Sequence, residues 1–145
     1  MIALLQRVRT ASVEVNQSII GQIEHGLLVF IGVQKDDSED NAKKLIDRVI
    51  QYRVFSDTDD KMNLSLKDIN GGLLLVPQFT LAADTCKGKR PSFSSAAHPE
   101  EGERLFDYAV EYSKSIYSNI QTGQFGADMQ VSLINDGPVT FWLEV

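Results

Sequence analysis

Two apolar runs limit the folds open to this chain: Leu27-Leu28-Val29-Phe30-Ile31-Gly32-Val33 and Leu73-Leu74-Leu75-Val76. Neither alternates polar with apolar residues, so each reads as a strand buried on both faces. Strands of that kind need a covering layer on each side. Helices can supply one. After Asp36-Asp37-Ser38, whose short polar side chains cap free backbone N–H groups, Ala42, Leu45, Ile46, Val49 and Ile50 recur at helical spacing. This predicts a helix over about 38–53. Pro99-Glu100-Glu101 opens a second helix, with proline and acids in the first turn where the helix dipole favours them. Leu105, Phe106, Ala109, Val110, Ser113 and Ile116 form its apolar stripe.

Further strands can supply the other layer. Met1 to Val8 is mostly apolar. Ala11 to Val15 alternates, with Val13 and Val15 on one face. Asn16-Gln17 can turn the chain into Ser18–Ile23. Met129 to Leu133 alternates as well, and Val139 to Val145 reads as a last strand. Asn135-Asp136-Gly137-Pro138 reads as a turn between the two, Thr122 to Gly126 as a glycine-rich connection, Ser56 to Asp60 as a polar turn, and residues 82–99 as a loop. The expected fold is α/β: one mixed domain over residues 1–145, with β-sheet layers covered by two helices in a β/β/α stack. At 145 residues such a domain can bury a core without disulfides or metals.

The 14 basic and 20 acidic residues give a formal charge of −6. That excludes a polyanion binder that coats nucleic acid with its whole surface, and leaves room for one local basic patch. The single cysteine, Cys86, permits neither an internal disulfide nor a cysteine-based zinc site. No basic start precedes an apolar run at the N-terminus, and no apolar stretch approaches the ~20 residues of a membrane span. A cytoplasmic protein is expected.

The residues that could do chemistry are few. His25 and His98 stand in or beside turns, with no acid at ligand spacing, and read as surface histidines. There is no HExxH sequence, cysteine pair or nucleophile-elbow glycine pattern. Cys86 reads as a bystander, with only Lys87 and Lys89 nearby to lower its pKa. Two segments stand apart. In Pro77-Gln78-Phe79-Thr80-Leu81 a proline interrupts an apolar strand, and two polar side chains then bracket an aromatic. This is either a strand end with Phe79 in the core, or a pocket floor where backbone N–H groups and a hydroxyl meet a substrate carbonyl. In Asn135-Asp136-Gly137-Pro138-Val139-Thr140, either a hairpin turns, or a glycine without Cβ lets a ligand approach the backbone.

Together the two segments resemble the D-aminoacyl-tRNA deacylases, also called D-tyrosyl-tRNA deacylases. The family pattern is Ser-Gln-Phe-Thr-Leu followed by Asn-X-Gly-Pro-Val-Thr. The resemblance extends over the chain through Gln6-Arg7-Val8, Phe55-Ser56-Asp57, Lys61-Met62-Asn63, Arg90-Pro91-Ser92-Phe93 and Phe125-Gly126-Ala127-Asp128-Met129. One departure is Pro77, where the family has serine. A related L-specific proofreading group carries proline there but replaces the phenylalanine too, whereas this chain keeps Phe79. A non-catalytic RNA-binding or interface module is a further alternative.

The resemblance implies hydrolysis of the ester joining a D-amino acid, or a mischarged glycine, to the 3′ end of tRNA, without cofactor or metal. It implies that Gln78, Phe79 and Thr80 form the catalytic segment, Thr80 positioning the ester or its water. It implies a homodimer in which a cis Gly137-Pro138 loop, braced by Arg7, enters the partner's site and excludes L side chains. It also implies that Phe125 and Met129 line an adenine pocket, although both could equally be core. Lys87, Lys89 and Arg90 would meet phosphates, or could form only a solvated loop.

Overall fold

A computed structural model describes all residues, 1–145. Its first strand, β1 (Ile2–Val15), is one 14-residue ribbon. Asn16 and Gln17 both take positive φ, 50° and 64°, the geometry of a tight hairpin turn, and return the chain as β2 (Ser18–Ile23). β3 (Gly26–Gly32) follows. β1 is long enough to pair twice along one edge: residues 2–8 with β3 and residues 11–15 with β2.

Ser38 caps α1 (Glu39–Gln51) in a reciprocal capping box with Asn41. A small hairpin, β4 (Phe55–Ser56) and β5 (Met62–Leu64), and one turn of helix, α2 (Leu66–Ile69), lead to β6 (Gly72–Pro77). β6 lies parallel to β3, with Gly26 opposite Gly72. A Cβ on Gly26 would stand 1.9 Å from the Gly72 carbonyl oxygen, so only glycine lets the two backbones approach this closely. A 3-10 turn (Phe79–Ala82), a loop and α3 (Pro99–Ile116) carry the chain to β7 (Ile120–Thr122), parallel to β6. The last strand, β8 (Gln130–Glu144), runs antiparallel along the other edge of β1.

Leu27, Val29 and Ile31 of β3, with Leu73 and Leu75 of β6, face α1 and α3 in the larger of two cores. The opposite face of the same strands, Leu28, Leu74 and Val76, packs on Val8, Ala11, Val13 and Ile23 in the second core. The two apolar runs are therefore buried on both faces, between strands on one side and helices on the other. This is the expected β/β/α stack.

Two local expectations are corrected, and one open alternative is decided. The Asn135–Pro138 segment is not a turn between two strands. β8 continues through it, with Asn135 opposite Val8 and Thr140 opposite Gln6, so residues 136–139 loop out of a ladder in which β1 places only Arg7. This is an enlarged β-bulge. The glycine-rich connection begins at Gly123, one residue later than expected, because Ile120–Thr122 pairs with Leu73–Leu75. Phe79 is not in the core but 57% exposed, because β6 ends at Pro77 and the chain coils away in the 3-10 turn.

Candidate active site

The carboxyl ends of the parallel strands β3 and β6 open onto a cavity of about 490 Å³. Crevices at such strand ends are common ligand sites in α/β folds. Ile31, Val33, Val76 and Pro77 form its floor. Gln78 and Phe79 stand on one side, Pro99, Gly102 and Phe106 of α3 on another, and Phe125 to Met129 with Val131 on a third. The wall is mostly apolar, with Gln78 and Asp128 among its few polar side chains. Phe125 lies over Gly102, where an added Cβ would be 3.4 Å from its ring. Met129 is held by the Gln124 backbone N–H, which donates to its sulfur at 3.4 Å.

The Gln-Phe-Thr segment bends into place because Gln78 N–H still bonds the Ile31 carbonyl at 2.7 Å, while Leu81 N–H already turns back to the Gln78 carbonyl at 3.2 Å. The backbone N–H groups of Phe79 and Thr80 therefore open a helical turn and have no acceptor within it. Thr80 is exposed beside the cavity, and its hydroxyl accepts a bond from the Gln78 amide. No histidine or carboxylate bonds this hydroxyl. His25 and His98 are both exposed, as expected. His25 stacks edge-on against Phe55, and His98 heads α3 without a side-chain cap.

The predicted site residues separate into three places. Gln78, Phe79, Phe125 and Met129 line the cavity, with Thr80 at its side. Lys87, Lys89 and Arg90 lie exposed on the following loop, which the pairing of Asp84 with Ser92 closes. Gly137, Pro138 and Arg7 belong to neither group and do not line the cavity. Gly137 and Pro138 are exposed at the tip of the β8 bulge, joined by a cis peptide bond. Arg7 braces them. Its Nε donates to the Asp136 carbonyl at 2.9 Å and its Nη1 to the Val54 carbonyl at 2.7 Å. Across the bulge, Asn135 accepts from Val139 N–H at 2.9 Å and donates to Thr140 Oγ1 at 2.9 Å. The loop is thus bonded at its root and free at its tip.

Cys86 is exposed, and its thiol is shifted opposite to the direction its lysine neighbours suggest. Asp84 accepts from it and pushes the thiol above its ordinary value. Sequence reasoning missed the α3 wall of the cavity, Pro99, Gly102 and Phe106. Gly102 carried a signal, since a glycine within the first turns of an amphipathic helix asks for a close neighbour. It gave no role to Phe93, the one aromatic in the polar loop, whose ring lies 5.1 Å from that of Phe79.

Comparison with known proteins gives this arrangement its class. The family model of the D-Tyr-tRNA(Tyr) deacylases matches residues 4–144. D-aminoacyl-tRNA deacylases of Cellvibrio japonicus (strain Ueda107) and Pseudomonas putida are 56% and 58% identical over 145 residues, covering 100% of this chain and 99% and 100% of theirs. A solved structure titled "c-Myc DNA Unwinding Element Binding Protein" superposes with a TM-score of 0.96 at 36% identity, over 100% of this chain and 99% of that one. A second, of a probable eukaryotic D-amino acid tRNA deacylase, shares the fold with a TM-score of 0.86 at 16% identity, over 99% of this chain and 98% of that one. The chain belongs to the D-Tyr-tRNA(Tyr) deacylase family.

Proposed function

We propose that this protein is a homodimeric, cytoplasmic D-aminoacyl-tRNA deacylase whose cavity in one subunit is completed by the Gly137-Pro138 loop of the other. The reaction is hydrolysis of the 3′ ester, releasing the D-amino acid and tRNA. The observation that carries this reading is a separation. The loop is braced at its root by Arg7 and Asn135, yet its exposed tip stands away from the cavity of its own chain. A braced tip with nothing of its own to act on fits a neighbour. β8 offers the surface for one. It pairs only with β1, so its outer edge is free, and it carries Ile134 and Trp142, 57% and 50% exposed. Unprotected apolar edges of this kind invite a second chain.

Within that assembly the terminal adenosine occupies the apolar cavity between Phe125 and Met129. The ester lies at the Gln-Phe-Thr turn, where the Phe79 and Thr80 N–H groups are placed to meet the developing oxyanion. An aminoacyl ester is already activated, and the adjacent ribose 2′-hydroxyl can help activate water. The protein therefore contributes mainly position, a role that needs neither histidine nor metal. Thr80, with no base beside it, orients the ester or the water. The backbone of Gly137-Pro138 meets the α-ammonium and leaves no room for an L side chain. A glycyl ester passes the same filter because it has no side chain. Lys87, Lys89 and Arg90 draw in phosphates of the acceptor end.

Subunit mixing tests this reading. Gly137→Ala disables the loop and Phe125→Ala the cavity. Random mixing of the two variants forms heterodimers in which one site combines an intact cavity with an intact loop. About a quarter of wild-type sites should return. If mixing restores nothing, the loop does not act across subunits.

A further inference from the structure

Beside the cations that the deacylase reading already uses, the loop between the 3-10 turn and α3 holds an aromatic that it does not. Residues 85–98 contain three cations, Lys87, Lys89 and Arg90, and no acid, in a chain of net charge −6. None of the three forms an ion pair. Phe93 lies three residues beyond Arg90 and is 43% exposed. Its backbone is fixed on both sides: Ser92 exchanges two hydrogen bonds with Asp84, at 2.8 and 3.0 Å, and Ala96 N–H bonds the Phe93 carbonyl at 3.1 Å. The ring meets Phe79 at an angle of 51°, so one aromatic covers part of the other while both stay open to solvent. Phe79 is itself part of the cavity wall. Phe93 thus stands between the cavity and the basic loop.

An exposed ring on a fixed backbone, beside unpaired cations, has the composition of a single-strand RNA contact. There the ring stacks an unpaired base while the cations hold its phosphates. We propose that Phe93 is a stacking residue for the base that precedes the terminal adenosine of the substrate RNA. The inference rests on reading the cavity as the adenosine pocket. It assigns recognition of the second nucleotide to a residue outside that pocket.

Two substrates separate the roles: full-length D-tyrosyl-tRNA, and D-tyrosyl-adenosine, which has no second base. Phe93→Leu keeps apolar contact with Phe79 but cannot stack, whereas Phe93→Tyr can. Phe93→Leu should lose roughly 5- to 150-fold in kcat/KM on the tRNA, mostly in KM, and stay near wild type on the adenosine ester. Phe93→Tyr should stay near wild type on both. Phe125→Ala serves as the control for the pocket and should lose on both. Equal loss by Phe93→Leu on the two substrates would make Phe93 a prop for Phe79 and overturn the proposal, as would no loss on either. A change in sedimentation of Phe93→Leu would place the ring in a subunit contact and overturn it too. If Phe125→Ala instead spares the adenosine ester, the adenosine reading of the cavity fails, and that failure is visible apart from the behaviour of Phe93.

Discussion

Substituting Gly137 by alanine tests the loop at the atom where the structure leaves least room. Gly137 has φ of +142°, a backbone region that L side chains rarely adopt. An alanine Cβ there would lie 2.7 Å from Val139 Cγ2, 3.0 Å from Val139 N and 3.1 Å from Arg7 Nη2. The valine methyl can rotate away. The Val139 nitrogen cannot, because its N–H is bonded to Asn135, and Arg7 is tethered to the Val54 carbonyl. Holding a non-glycine residue in such a conformation costs about 1–3 kcal/mol. At 1.4 kcal/mol per decade, the native loop then falls roughly 5- to 150-fold in population. The loop tip is exposed, so this strain can be relieved by local rearrangement without unfolding the domain. Gly137→Ala should therefore lose D-tyrosyl-tRNA hydrolysis by about that factor, or admit L-tyrosyl-tRNA, while its Tm falls by no more than ~6–12 °C, the shift for about 3 kcal/mol in a domain of this size. The assay is deacylation of matched D- and L-tyrosyl-tRNA beside thermal unfolding. Wild-type rates with wild-type preference would refute the argument and move selectivity to side chains such as Phe79. So would a lost rate that simply tracks lost folding.

Three further outcomes follow from the site. Thr80→Ser should remain active and Thr80→Ala should retain part of the rate, because the hydroxyl is bonded to Gln78 and to no base; an acyl group trapped on Thr80, seen by mass spectrometry, would contradict this. Exhaustive chelation should leave hydrolysis unchanged; loss of rate that zinc restores would reveal a metal role. Cys86 should alkylate more slowly than a free thiol near neutral pH, because Asp84 raises its pKa and lowers the thiolate fraction, and Asp84→Ala should accelerate the reaction; iodoacetamide kinetics followed by mass spectrometry distinguish the two.

Much of the fold was legible because burial on two faces leaves a plain mark. The β3 and β6 runs carry no polar alternation, and α1 and α3 announce themselves by caps and stripes. α2 was passed over, although Ser65 and Asp68 stand at the spacing of the capping box that starts it. The path of β8 was not. An Asn-Asp-Gly-Pro run has turn composition whether the chain reverses or loops out. The outcome was decided by pairing with β1, more than a hundred residues away in sequence. The site was legible as two motifs; their separation came only with the family resemblance and not from local pattern, since which cavity a loop reaches depends on where each strand ends. The exposure of Phe79 followed from the 3-10 turn, which local pattern did not distinguish from a continuing strand.

The β8 bulge also sets a parity. Between Asn135 and Thr140 the strand holds four residues where β1 holds one, an excess of three. Phe141 and Leu143 face the helix-side core, while Val131 faces the second core, although their numbers are all odd. In an uninterrupted strand odd residues would share a face, so the odd excess is what turns β8 over from one core to the other. β1 makes the same change with one extra residue, Arg9, which puts Leu5 and Val13 on opposite faces. Removing one residue from the loop would bring the excess to two, and plain alternation would then carry Val131 and Leu143 to opposite faces without any irregularity. Pairing with β1, not the length of the loop, therefore decides which core each half of β8 enters, and the fourth loop residue is one that the packing of the domain does not ask for.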